Sequence, residues 1–212
     1  KYHKKILHDL TILKYSWPLM FSGALITIIV WVDTIFIGYF LNQSDVGIYN
    51  AAVPTANLLS IIPIAITSML VPMLTELFAL KKKRELKNNY NTLTKWIFLF
   101  NLPLLVILIL FSKDLLSIFF GIPYAQGYLV LILAALGYFI YFNLDTSNKL
   151  LIIMNRTKLI FVNTIIAAAA SITLNLILIP KLGILGAGIG TSSFFVLVNI
   201  LGTFFKLNLV GP

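Results

Sequence analysis

Long apolar stretches separated by short polar clusters dominate this chain. Six of them approach or exceed the roughly 20 residues that a helix needs to cross the hydrocarbon core of a bilayer. They cover residues 17–41, 46–80, 96–111, 124–154, 159–179 and 184–205. The pattern predicts an all-α fold, a polytopic membrane helix bundle in which six transmembrane helices occupy residues 15–207.

The second and fourth stretches are too long for one straight crossing, since a helix rises about 1.5 Å per residue against a core of about 30 Å. The second contains Pro54, Pro63 and Pro72, and each proline removes a backbone hydrogen bond. We therefore expect the second helix to bend and to extend past one membrane face.

Three short segments, two at the ends of the chain and one between the third and fourth stretches, differ from the spans. Residues 1–14 place apolar side chains near one helical face and basic side chains elsewhere, as in a helix lying on a membrane surface. Residues 112–121 likewise join a charged start to an apolar face. Residues 208–212 are expected to form a short tail.

Composition excludes a soluble globular protein and a disordered one. Of the 212 residues, 59% are hydrophobic and 11% are charged, and the mean hydropathy is +0.97. Soluble domains carry about 25% charged residues, and disordered chains are poor in apolar ones. Cysteine is absent, and neither an HExxH, a GxSxG nor a phosphate-binding loop occurs, so we expect no catalytic site, metal or cofactor.

The basic residues are distributed unevenly between the two sides of the predicted bundle. With six crossings, thirteen of the 16 Lys and Arg residues fall on the side of both termini and two, Lys113 and Lys181, fall on the other. This positive-inside asymmetry predicts cytoplasmic termini. The net charge of +9 is thus explained by topology and by attraction to anionic membrane lipids, with no need for nucleic acid as a partner.

Asp33 is the most unusual residue of the first stretch, because an ionisable group inside a bilayer costs several kcal/mol unless it is paired or hydrated. It lies in the predicted outward half, between Trp31 and Thr34. One interpretation is a proton or cation site that faces a water-filled cavity. The other is a packing carboxylate that is bonded to a hydroxyl or amide of a neighbouring helix.

Asp145 and Lys149 stand four residues apart in the fourth stretch, so they share a helix face and can neutralise each other. Such a pair lowers the cost of insertion. Alternatively, Lys149 is a partner for an anionic substrate, with Asp145 holding it in position. We therefore consider Asp33, Asp145 and Lys149 together as candidates for a substrate or ion pathway.

Small and amide-bearing residues recur at helical spacing on three stretches. Such faces let membrane helices approach closely and exchange hydrogen bonds, so they predict helix packing. The residues are Gly23, Thr27, Thr34 and Gly38 in the first stretch, Ser171 and Asn175 in the fifth, and Gly186 and Gly190 in the sixth.

Several tracts together resemble lipid-linked oligosaccharide flippases of the superfamily that also contains the multidrug and toxic-compound extruders. Their order and spacing extend over nearly the whole chain. The tracts are Tyr15–Leu19, Val32–Phe40, Asp45–Ala52, Phe120–Tyr124, Asn155–Lys158 and Asn175–Ala187.

The resemblance implies one lobe, similar to the second, of a transporter built from two six-helix lobes around a central cavity. The other lobe would come from a longer chain, a second copy or a partner. It further implies a plasma-membrane flippase that moves a polyprenyl-linked oligosaccharide by alternating access, without enzymatic chemistry. Two alternatives stay open: a lobe of a cation-coupled multidrug exporter with Asp33 as the coupling carboxylate, and a membrane scaffold or assembly subunit.

Overall fold

The computed structural model describes the backbone of residues 2–210 and their side chains, except those of 2–12, 14, 146–147, 201 and 203–210. Within that part the chain is helical between short connections and contains no strand. The helices are α1 (Tyr2–Phe40), α2 (Gln43–Ala56), α3 (Ile61–Ala79), α4 (Lys83–Leu110), α5 (Ser112–Phe120), α6 (Tyr128–Leu144), α7 (Thr146–Ile153), α8 (Thr157–Leu182) and α9 (Ile184–Val210).

Five segments of the described chain are long and apolar enough to cross a membrane. They are Tyr15–Phe40, Gln43–Ala79, Lys83–Leu110, Ile122–Ile153 and Thr157–Leu182. A shorter apolar stretch, Ile184–Ile200, begins α9. The all-helical membrane fold predicted from the sequence is therefore present, whereas the sixth crossing stays a prediction.

The second predicted stretch is interrupted where its prolines predict a bend. A 3₁₀ turn at Asn57–Ser60 separates α2 from α3, so the long stretch is two helices rather than one. Pro54 lies in the last turn of α2, and Pro63 lies in the first turn of α3. A proline in a first helical turn costs little, because the N–H that it lacks has no partner there in any case.

The third and fourth stretches also differ in their boundaries from the apolar pattern. Helix α4 begins at Lys83, thirteen residues before Trp96, because its first turns are polar but still helical. The fourth stretch consists of a 3₁₀ turn at Ile122–Gly127 followed by α6 and α7, which meet at Asp145. Apolarity marks the part of a helix that meets lipid, not where the helix begins or ends.

The amphipathic pattern of residues 1–14 predicts a separate interfacial helix. The backbone of α1 instead continues without a break from Tyr2 into the first apolar stretch. The side chains that would form its amphipathic face lie outside the described residues, except that of Leu13. In the expected tail, 208–212, the backbone of α9 continues to Val210, and residues 211–212 lie outside the description.

The core lies where α1, α2, α6, α8 and α9 meet, and the α8–α9 hairpin forms its most extensive helix contact. A smaller cluster of Leu74, Leu93 and Ile97 joins α3 to α4. Many large apolar side chains point outward instead, such as Trp31 at 63% exposure and Met69 at 79%. A surface this apolar is suited to lipid.

Candidate functional site: a buried carboxylate between four helices

Asp33 lies on the face of α1 that points into the bundle. Ser22, Ile29 and Ile37 are buried on the same side, and their spacing follows the helical repeat. The side chain of Asp33 is 1% exposed. A carboxylate this deep requires hydrogen-bond donors from the helices around it.

Three other helices supply those donors. The Tyr49 hydroxyl on α2 donates to Asp33 Oδ2 at 2.9 Å, and the Thr191 hydroxyl on α9 donates to the same oxygen. The Asn175 amide on α8 donates to Asp33 Oδ1. The Tyr49 and Thr191 oxygens lie 2.6 Å apart, and Thr191 also reaches the carbonyl of Ala187 at 3.0 Å. We call Asp33, Tyr49, Asn175 and Thr191 the carboxylate cluster.

The α8–α9 hairpin can hold its part of this cluster because glycine removes side-chain volume at the contact. A Cβ at Gly190 would overlap the Asn175 amide, and a Cβ at Gly186 would overlap the backbone of Leu178. The Ser171 hydroxyl donates to the Gly190 carbonyl at 3.1 Å. The two glycines therefore let α9 lie close enough to α8 for Asn175 and Thr191 to reach one carboxylate.

The cluster retains one unused acceptor. Asn175 Oδ1 is fully buried and has no hydrogen-bond partner among the described residues. Because the amide nitrogen of Asn175 faces Asp33, this oxygen is turned toward Gly190, where an added Cβ would overlap it. The Asp33 carboxylate and the two hydroxyls are the oxygen atoms that could exchange a proton.

Asp145 and Lys149 form the second polar feature within the apolar stretches. Lys149 Nζ lies 3.3 Å from Asp145 Oδ2, and the two side chains are 37% and 17% exposed, lysine first. Asn148 links the pair to α9, because its amide donates to Asp145 Oδ1 at 3.3 Å and to Asn199 Oδ1 at 2.9 Å. Among the described side chains, no hydrogen bond or ion pair connects this pair with Asp33.

The small residues of α1 lie in two different surroundings. A Cβ added at Gly23 would meet no other helix within 4 Å, and the Thr27 hydroxyl bonds back to the carbonyl of Gly23. The Thr34 hydroxyl donates to Asn50 Oδ1 on α2 at 3.2 Å, and a Cβ added at Gly38 would lie 3.6 Å from Val46 of α2. Of these four residues, only Thr34 and Gly38 therefore lie against another described helix. Gly23 and Thr27 lie on a side of α1 that is turned away from the buried face containing Asp33.

Comparison with known proteins assigns the chain to a family. Residues 4–128, more than half of its length, match the family described as polysaccharide biosynthesis protein. The chain belongs to this family. The match includes Asp33 and Tyr49, whereas Asn175 and Thr191 lie beyond it.

Curated relatives agree with this family. The chain is 25% identical over 81% of its length to the probable low-salt glycan biosynthesis flippase Agl15 of Haloferax volcanii. It is 27% identical over 81% of its length to the probable flippase AglR of the same organism. It is 28% identical over 90% of its length to an uncharacterized membrane protein of Methanocaldococcus jannaschii.

The chain spans 36%, 36% and 37% of the length of these three relatives, respectively. No solved structure matches it significantly. The family match and the long apolar helices together identify a multi-pass membrane protein of the polysaccharide biosynthesis protein family.

Two members of the carboxylate cluster are not singled out by the sequence. Tyr49 and Thr191 are ordinary residues in apolar surroundings, and neither is ionised at neutral pH. A signal is present for Thr191, since it follows Gly190 directly and lies one turn after Ala187 on the buried face of α9. For Tyr49, the signal is its place among the buried alanines of α2.

Proposed function

We propose that this chain forms one half, the second lobe, of a flippase that moves a polyprenyl-linked oligosaccharide across the plasma membrane. The transport serves the biosynthesis of cell-surface polysaccharide or glycan. The family match and the names of two relatives support the substrate class. The coverage of about a third of each relative supports a second six-helix lobe supplied by the same longer chain or by another copy.

The physical task is to carry a sugar and phosphate head through an apolar barrier, and no bond is made or broken. A polar cavity that opens alternately to the two sides accomplishes this when two lobes rock against each other. In this arrangement α9 makes the sixth crossing, both termini are cytoplasmic, and anionic lipids contact the basic side.

The observation that carries the proposal is the set of hydrogen-bond partners around Asp33. These partners can form hydrogen bonds with the carboxyl group of Asp33 in both its charged and its protonated form. When Asp33 is charged, Tyr49, Asn175 and Thr191 all donate to it. When Asp33 is protonated, its O–H donates to a hydroxyl oxygen, and Thr191 turns its own hydrogen to the carbonyl of Ala187, which is already 3.0 Å away. We propose that Asp33 takes up a proton or a small cation and thereby couples the positions of four helices to transport.

Lys149 is proposed as a second contact on the pathway, one that attracts the phosphate of the substrate. Its 37% exposure leaves the ammonium accessible, and Asp145 holds it at 3.3 Å. An arriving phosphate would compete with Asp145 for the same ammonium group.

The decisive experiment compares Asp33→Asn with Asp114→Asn, which changes an exposed carboxylate of α5, in the complete protein that contains this chain. An Asn at position 33 can accept from Asn175 and donate to the two hydroxyls, so folding is expected to persist. It cannot exchange a proton, so translocation of lipid-linked oligosaccharide into vesicles is expected to fall at least tenfold. The matched Asp114→Asn protein is expected to retain more than half of the translocation.

Thermal stability of both detergent-solubilised variants is measured in the same samples. Normal translocation by a folded Asp33→Asn protein would contradict the coupling role and favour packing alone. Export of cationic drugs without movement of lipid-linked oligosaccharide would favour the multidrug alternative. If both transport activities persist after the lobe formed by this chain is deleted, the result would favour a scaffold role.

The orientation is tested separately with single cysteines at Gln43 and Asn88, since the chain has no cysteine of its own. Gln43 follows the first crossing, and Asn88 lies in the polar first turns of α4. A membrane-impermeant reagent applied to intact cells is expected to label Gln43→Cys only. Labelling of Asn88→Cys alone would show that the chain has the opposite orientation in the membrane.

A further inference from the structure

A groove of about 640 Å³ lies between α4 and α6, away from the carboxylate cluster. This volume falls in the range of about 300–1,000 Å³ that is typical of sites for small ligands. Helix α4 contributes Thr94, Lys95, Phe98 and Leu99, and α6 contributes the four residues of its last turns, Phe139, Ile140, Asn143 and Leu144. The groove is open along one side, where Phe98 and Leu99 are 47% and 56% exposed.

The groove changes from polar to apolar along α4. Residues 83–95 of that helix are mostly polar, and Trp96 begins an apolar run that continues to Leu110. Trp96 is half exposed and stacks on Phe100 with ring centroids 5.4 Å apart. A tryptophan beside a lysine at such a boundary is typical of the membrane–water interface. Lys95 therefore lies at headgroup level, and Phe98 and Leu99 lie one turn deeper.

The charge at the mouth of the groove has no carboxylate partner among the side chains that the structure describes. Lys95 is exposed and forms no ion pair with any described side chain. The nearest carboxylate along α6, that of Asp145, is already paired with Lys149. On the opposite wall, the amide of Asn143 donates to the carbonyl of Phe139, while its Oδ1 has no described partner.

From this geometry we infer that the α4–α6 groove binds an anionic phospholipid of the leaflet on the basic side of the bundle. The lipid phosphate contacts the Lys95 ammonium, and one acyl chain lies over the touching rings of Phe98 and Phe139, whose centroids are 5.4 Å apart. Leu99 and Ile140 line the two sides of the chain. Phospholipid is favoured over other apolar occupants because the groove opens outward to surrounding lipid and combines an apolar floor with a single positive charge at headgroup level.

The test measures lipid binding to the complete detergent-solubilised protein by native mass spectrometry. Phosphatidylglycerol and phosphatidylcholine of equal chain length are titrated separately. Replacing Lys95 by Gln is expected to weaken phosphatidylglycerol binding about fivefold, the effect of one basic residue near an anionic surface, and to leave phosphatidylcholine binding unchanged. Lys95→Arg keeps the charge and is expected to retain the preference.

Lys83→Gln is the matched control, because it removes the same charge from an exposed position on the same helix, outside the groove. It is expected to bind phosphatidylglycerol normally. A second variant, Ile140→Trp, fills the groove and is expected to weaken both lipids. Since Ile140 is 38% exposed, the larger ring can be accommodated without disturbing the core.

Three results would overturn the inference. Equal losses in Lys83→Gln and Lys95→Gln would indicate diffuse surface attraction rather than a site. Equal binding of phosphatidylglycerol and phosphatidylcholine by the unmodified protein would show that the groove does not select for the headgroup. Displacement of phosphatidylglycerol by a lower concentration of polyprenyl phosphate would assign the groove to the lipid part of the transport substrate.

Discussion

Asp33 and Asp145 are both carboxylates within apolar stretches, yet the protein satisfies them in opposite ways. Asp33 is 1% exposed and receives hydrogen bonds from α2, α8 and α9. The side chain of Asp145 is 17% exposed and pairs with Lys149, four residues further along the chain. The first carboxylate depends on the assembled bundle, and the second depends mainly on its own segment.

This difference separates two ways of lowering the cost of a charge in a membrane. A local ion pair can form as soon as its helix forms, so it aids insertion and contributes little to the packing of other helices. A carboxylate bonded by three other helices contributes to tertiary structure, because each donor loses its partner when the helices separate. A change at Asp33 would therefore alter hydrogen bonds to α2, α8 and α9 at once.

The largest effect is expected from replacing the two carboxylates by leucine. Asp33→Leu leaves the Asn175 amide without an acceptor in the core, and we expect a loss of about 3 kcal/mol in the free energy of unfolding. Asp145→Leu removes a partly exposed pair and is expected to cost about 1 kcal/mol or less. Denaturant unfolding of the two purified proteins measures the difference, and equal losses would remove the contrast between the sites.

An intermediate effect is expected from the glycine that lets Asn175 reach Asp33. Gly190→Ala forces the Asn175 amide to move and is expected to destabilise the protein by about 1–3 kcal/mol. The Cβ that Gly23→Ala adds on the exposed side of α1 meets no neighbouring helix within 4 Å, and the change is expected to be neutral or to stabilise by up to about 1 kcal/mol. Thermal unfolding compares the two, and destabilisation by Gly23→Ala would show that this face of α1 packs against another surface.

The smallest effect is expected from a double-mutant cycle at the local pair. Asp145→Asn and Lys149→Gln, singly and together, should give a coupling energy below about 1 kcal/mol that decreases with added salt. Unfolding at two salt concentrations provides the measurement. A coupling above about 2 kcal/mol that is insensitive to salt would place the pair in a dry environment and make it resemble Asp33.

Features that depend on one segment are accessible from the sequence. Runs of apolar residues predict the long helices, and Pro54 and Pro63 mark the interruption of the second stretch at Asn57–Ser60. The spacing of Asp145 and Lys149 predicts their ion pair. Each of these follows from local geometry, namely helical rise, proline stereochemistry and the i,i+4 relation.

Features that depend on how the helices face each other cannot be predicted from the sequence pattern of a single segment. The depth of Asp33 is visible in the sequence, but Tyr49 and Thr191 become its partners only through the rotation of α2 and α9 about their axes. The exposure of Gly23 and Thr27 has the same origin, because a small-residue face does not specify which neighbour it meets. Polar residues beyond the apolar run, as at Lys83, also give no sign that the helix continues into them.

The positions of the four cluster residues along the chain set the order in which the carboxylate acquires its donors during synthesis. Tyr49 follows Asp33 by 16 residues, whereas Asn175 and Thr191 follow it by 142 and 158. At about 5–20 residues per second, the ribosome needs on the order of ten seconds to make the intervening chain. Between the synthesis of Tyr49 and that of Asn175, Tyr49 is the one donor of the cluster that the growing chain can offer to Asp33. The emergence of α9 completes the hydrogen bonds of a residue made 158 positions earlier, and a chain truncated before that helix leaves this carboxylate short of one of its donors.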